Sequence, residues 1–111
     1  MKFLVLGNIK DTFSNLPPEV NRQLLEETAV WMYRYRSANI LAEIHMLVGC
    51  KRFVAVCNSE TNVDLMKELS TLPILNYTDI EVYPLADITE SINSLIENTK
   101  QFESITRAGA G

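Results

Sequence analysis

The spacing of hydrophobic residues changes period several times along the chain, and each change marks an element. Lys2 to Ile9 is rich in β-formers with weak alternation and loosens at Gly7 and Asn8, which predicts a buried first strand. Its exit, Lys10 to Leu16, reads as a loop. Pro17 and Pro18 suit the first turn of a helix, where an N–H is not needed, and Asn15 stands where it can cap. Val20, Leu24, Thr28, Trp31 and Tyr35 then recur at three- and four-residue spacing, so a long helix should lay this stripe on a sheet, with Asn21, Arg22, Glu26, Arg34 and Arg36 mostly facing elsewhere.

The period next falls to two. Ile40 to Val48 predicts a second strand with Leu41, Glu43, His45 and Leu47 on one face and Ala42, Ile44, Met46 and Val48 on the other. Gly49 to Lys51 is a short connection into Arg52 to Cys57, so strands two and three should pair as an antiparallel hairpin. Ser59 or Thr61 can cap a short helix whose apolar side is Val63, Met66 and Leu69, with Leu65 and Leu72, before Pro73 ends it. Thr78 to Tyr83 alternates as a fourth strand. Asp87 followed by Glu90 opens a last helix with the stripe Ile88, Ile92, Leu95 and Ile96, ending near Phe102. Residues 104–111 are small and polar and are expected to be a flexible tail.

Strand-helix-strand occurring twice predicts an α+β fold: a ferredoxin-like βαββαβ domain over residues 1–103, with an antiparallel four-stranded sheet, both helices on one face and an additional C-terminal helix. Ile80 and Val82 then lie under the helices. Asp79, Glu81 and Tyr83 join Leu41, Glu43, His45 and Leu47 on the uncovered face. That mixture is too apolar to stand in water and too polar for a core, and sheet-to-sheet pairing of two copies into a homodimer resolves the conflict.

Composition narrows the partners. At 111 residues with 47% hydrophobic and 22% charged residues, the chain has the make-up of a soluble globular domain, and its net charge of −4 argues against nucleic acid. The longest apolar run, Ile40 to Val48, is interrupted by Glu43 and His45, so no segment suits a membrane. The N-terminal MKFLVLGNI has no small-residue cleavage site, and a cytoplasmic location is expected. Cys50 and Cys57 lack CxxC spacing and read as reduced thiols rather than a disulfide or a metal site.

The segment LPILNYTDIEV, Leu72 to Val82, resembles a stretch of the muconolactone isomerase family, in which a Leu-Pro pair, two apolar residues, a spacer and a tyrosine lead into Asp-Ile-Glu-Val. From Pro17 to Leu85 the chain follows that pattern without a gap, Gln23, Leu24, Arg34, Gly49 and Leu65 included; the final helix lies outside it. The resemblance implies a ferredoxin-like subunit paired into a dimeric α+β barrel. It implies a proton shift on a small unsaturated lactone bearing a carboxylate, with no metal or organic cofactor. Such chemistry needs a base beside an acidic C–H, a group that returns the proton, and donors that hold the enolate. Two departures stand out: the first helix has Glu27-Thr28-Ala29-Val30 where the family has a charged run, and the second strand has Ala42-Glu43-Ile44-His45-Met46 where the family is rich in basic and aromatic residues.

Candidate catalytic groups are therefore His45, the only histidine and suited to proton transfer near neutral pH, with Glu43 two residues away on its face, Glu27, and Tyr77 as a donor to a ligand oxygen. Candidate ligand-binding groups are Trp31, Tyr35, Asp79, Glu81 and Tyr83. Each has a structural alternative: interface pairing for His45, Asp79 and Glu81, core packing for Trp31 and Tyr35, and a plug at the end of the core for Tyr77. Arg34, Arg36, Lys51 and Arg52 form either an anion-attracting patch or a solvated face. Three functions fit: a cofactor-free isomerase acting on an enolisable carbonyl compound, a noncatalytic binder of a small molecule between helices and sheet, or a cofactor-independent monooxygenase.

Overall fold

The computed structural model describes residues 1–110, with side chains as far as Glu103. Strands β1 (Lys2–Ile9), β2 (Leu41–Met46), β3 (Arg52–Asn58) and β4 (Thr78–Pro84) form one antiparallel sheet in the order β2-β3-β1-β4. Helix α2 (Pro18–Ser37) connects β1 to β2, and α3 (Asn62–Leu69) connects β3 to β4. This is the expected ferredoxin-like arrangement, with β2 and β4 as the two edges. A fourth helix, α4 (Ile88–Ala110), follows β4.

Inward residues alternate along the central strands. Phe3 and Val5 of β1 and Phe53, Ala55 and Cys57 of β3 are buried with Leu65 and Leu69 of α3. Gly7 faces the Phe53 ring so closely that a β-carbon would overlap it, which is why the inner face of β1 carries no side chain there. Phe13, Leu72 and Ile74 form a second cluster at one end of the sheet, and Tyr77 tilts against Phe13 with ring centroids 5.9 Å apart.

Several boundaries differ from the sequence reading for local reasons. The exit of β1 is not all loop: Asp11–Ser14 make one helical turn, α1, and Asn15 ends that turn instead of capping α2, which starts behind Pro17 with no side-chain cap. The predicted faces of the second strand fail at one point. The pairing slips between Leu41 and Glu43, Leu41 lying opposite Cys57 and Glu43 opposite Val56, so Ala42 is the extra residue of a bulge. Leu41 consequently turns into the core beside Ile44, while Glu43 and His45 keep to the open face. Leu47 and Val48 lie beyond the strand in the exposed turn, where Gly49 takes φ +83°.

In α3 the cap is Thr61, whose hydroxyl accepts from the Asp64 N–H at 3.1 Å. Leu65 and Leu69 are its buried residues, whereas Val63 and Met66 are exposed, because an eight-residue helix can present only one narrow strip. Asp87 caps α4 by accepting from the Glu90 N–H at 3.0 Å. The helix runs past Phe102 to Ala110, since nothing from Thr99 onward interrupts its backbone. The side chains of the tail expected to be flexible, 104–111, lie outside the described residues.

Candidate functional site

The two faces of the sheet carry different chemistry. On the covered face, α2 stands off the strands and leaves a cavity of about 410 Å³. Its floor includes Val5, Ala55 and Ile80, its roof includes Thr28 and Met32, and it opens between Leu25 and Ala29 of α2 and Ile44 and Met46 of β2. The mouth lies on the β2 edge because no further strand continues the sheet there.

The wall is almost wholly apolar. Thr28 donates its hydroxyl proton to the Leu24 carbonyl at 2.7 Å, and Trp31 donates its indole N–H to Thr71 Oγ1 at 2.8 Å. Burial pushes the Cys57 thiol up to about 11, which keeps it neutral. His45 borders the mouth by its place on the exposed edge strand, between the inward Ile44 and Met46, while its side chain keeps to the open face.

On the open face the register places side chains in rows. Glu43, Val56, Leu4 and Tyr83 form one row, His45, Val54, Leu6 and Glu81 the next, and Arg52, Asn8 and Asp79 a third. Half-buried Leu4, Leu6, Val54 and Val56 make an apolar centre between two titratable margins. Tyr83 donates to Glu81 at 2.8 Å, and this hydrogen bond, with the carboxylate's charge, raises the Tyr83 pKa. Asp79 pairs with Lys10 at 3.4 Å, an exposed pair worth at most about 1 kcal/mol.

The candidates thus separate into groups that do not form one constellation. His45 and Trp31 border the cavity. Asp79 and Glu81 line a shallow notch of the open face with Asn8 and Arg52, and Tyr83 lies beside it through Glu81. Glu43 shares His45's strand face but not the cavity lining, and Tyr77 belongs to the second core cluster. Glu27 is exposed on α2, accepting from Gln23 at 3.3 Å. Tyr35 stacks on Trp31 at 4.3 Å and also reaches Thr71 Oγ1, at 3.0 Å. Since Thr71 donates its own proton to the Glu68 carbonyl, its oxygen accepts from both aromatic residues, tying α2 to the end of α3. Sequence reasoning missed the cavity's apolar groups Leu25, Ala29 and Met32. Their only signal was that apolar residues on α2 extend beyond the predicted stripe, around more of the helix than one sheet contact needs.

Similarity to one solved structure agrees with the architecture. A crystal structure of muconolactone isomerase superposes with a TM-score of 0.68 at 24% sequence identity, covering 78% of this chain and 90% of that one. The chain has the muconolactone isomerase-like fold. An Agrobacterium tumefaciens protein solved by X-ray crystallography aligns over 79% of this chain at 9% identity, with a TM-score of 0.39. No family model matches the sequence, and no curated protein matches it either.

Proposed function

We propose that the protein is a small-molecule-binding member of this fold that takes a compact, mainly apolar, uncharged molecule into the cavity beneath α2. The observation that supports this reading is the wall: an anion entering it would shed its water and meet no Lys or Arg, whereas an apolar molecule meets Val5, Leu41, Ile44, Met32 and Phe53. The carboxylate-bearing substrate implied by the sequence resemblance suits this cavity poorly. The protein works as a homodimer paired through the open face, whose apolar centre invites cover, and free Cys50 and Cys57 suit the reducing cytoplasm.

A second reading keeps catalysis, because His45 stands at the mouth. From the rim of this edge strand an imidazole that swings toward the mouth can take a proton from carbon beside a carbonyl and return it to carbon two atoms further along as the double bond moves, which requires no other titratable group. Both readings are tested with the uncharged α-angelica lactone. Binding to the native state alone raises the unfolding midpoint, by about 2.7 kcal/mol of added stability at a hundredfold excess over Kd. Ala29→Trp, which narrows the mouth, should abolish the shift. A shift only with carboxylate-bearing analogues would overturn the binding reading. Deuterium exchange into the lactone C–H positions, followed by NMR, should disappear in His45→Ala; exchange that persists in this variant removes His45 as the base.

A further inference from the structure

The few polar side chains around the cavity are not equally free to meet a guest. Those with an O–H, N–H or S–H group are Thr28, Trp31, His45 and Cys57. His45 keeps its ring to the open face. Trp31 spends its only donor on Thr71 Oγ1 at 2.8 Å. Burial holds the Cys57 thiol neutral, and a neutral thiol is both a weak donor and a weak acceptor.

Thr28 differs in kind. Its hydroxyl proton goes to the Leu24 carbonyl at 2.7 Å, one turn back on the same helix, and the oxygen keeps two lone pairs with which to accept. A guest hydroxyl that donates to Oγ1 therefore adds a hydrogen bond and breaks none inside the protein. A guest carbonyl can bond Thr28 only by drawing the proton away from Leu24, so that one bond replaces another. The free edge of β2 does not reverse this preference. Leu47 N–H donates to the Arg52 carbonyl, and alternation along the pair turns the N–H groups of Ile44 and Met46 away from β3. These donors stand at the rim, within reach of water, which serves them as well as a guest's carbonyl would.

We infer that Thr28 sets the ligand class: the uncharged, mainly apolar molecule of the cavity is an alcohol whose hydroxyl donates to Thr28 Oγ1 while its carbon skeleton lies on Val5, Ala55 and Ile80. The inference rests on the binding reading given above and supplies the one polar group that the ligand carries. An apolar cavity of roughly 150 Å³ holds benzene, so about 410 Å³ leaves room for a skeleton of about ten carbons. The departure at Glu27-Thr28-Ala29-Val30 acquires the same sense. Where the resembled family has a charged run, this helix turns an uncharged acceptor to the cavity and leaves Glu27 exposed outside it.

Menthol and menthone share a carbon skeleton and differ by a hydroxyl against a carbonyl, so calorimetric titration of the full-length protein with each tests the inference. Menthol should bind about fivefold more tightly, the effect of one net hydrogen bond. Thr28→Val puts a methyl group in place of the hydroxyl and should erase the preference, weakening menthol about fivefold while menthone stays within about twofold. Thr28→Ser retains the hydroxyl and should retain the preference. If Thr28 served only to pack or brace α2, Thr28→Val would weaken both ligands alike, and that result would overturn the inference. Equal affinities for the two ligands in the unmodified protein would overturn it as well, while leaving the binding reading intact. Binding of neither ligand would remove the binding reading and the inference together.

Discussion

Helices α2 and α3 occupy equivalent places in the two halves of the fold and behave oppositely. The shorter one, eight residues long, sinks Leu65 to 0% exposure and Leu69 to 4% and so fastens the β3–β4 half. The longer one, twenty residues long, has no fully buried residue and meets the sheet through half-buried Leu24, Thr28, Trp31, Met32 and Tyr35. Burial, not length, decides which helix carries stability. The same difference makes room for the cavity: a helix that packed as deeply as α3 would leave no space above Val5 and Ala55.

The most direct way to break this comparison is to truncate one anchor from each helix. Leu65→Ala should cost about 3 to 5 kcal/mol, since the removed atoms leave a closed void. Met32→Ala should cost under about 2 kcal/mol, because the side chain is half-buried and borders a space already present. Chemical denaturation of both variants decides the matter, and equal losses would mean that α2 is anchored as firmly as α3. A smaller effect sharpens the contrast. Thr71→Val removes the shared acceptor of Trp31 and Tyr35 and should cost about 1 kcal/mol, with increased hydrogen exchange in the second half of α2 and little change in α3. Uniform exchange across both helices would mean that Thr71 is not the tie.

The smallest effect belongs to the face that neither helix covers. Glu81 raises the Tyr83 pKa, so the folded value lies above the ordinary 10.0. The stabilisation from this pair is complete below about pH 10 and is lost as the pH climbs through the folded pKa. Among the four tyrosines, Tyr83→Phe should remove a late step from the ultraviolet titration, and Glu81→Gln should move that step earlier. A titration unchanged by Glu81→Gln would dissolve the pair.

Strand and helix order was legible because each element declares its period locally, and the LPILNYTDIEV segment pointed to the fold that the superposition shows. The position of Leu41 was not legible. Alternation assigns a face only while the pairing stays regular, and the slip beside Ala42 depends on β3, which a reading of β2 alone does not contain. The cavity was equally hidden. Leu24 and Trp31 mark a helix that faces a sheet, but the distance at which α2 rests is set by how the rest of the core fills, with Leu65, Phe53 and Leu41 competing for the same space. Of the candidate residues, Trp31 lines the cavity and His45 borders it from the edge strand, whereas Glu27 and Tyr77 were drawn elsewhere by a helix face and by Phe13.

The bulge at Ala42 puts two residues, where a regular strand has one, between the inward residues Leu41 and Ile44. In the language of the gene, loss of a single codon from most of this strand would send every later side chain to the wrong side, exchanging His45 with Met46 across the sheet. Loss of the Ala42 codon would do the reverse: the strand would become regular, with Leu41 and Ile44 both still inward and Glu43 and His45 both still outward. The irregular residue is thus the one place in β2 where the reading of the strand can absorb a deletion and keep its meaning.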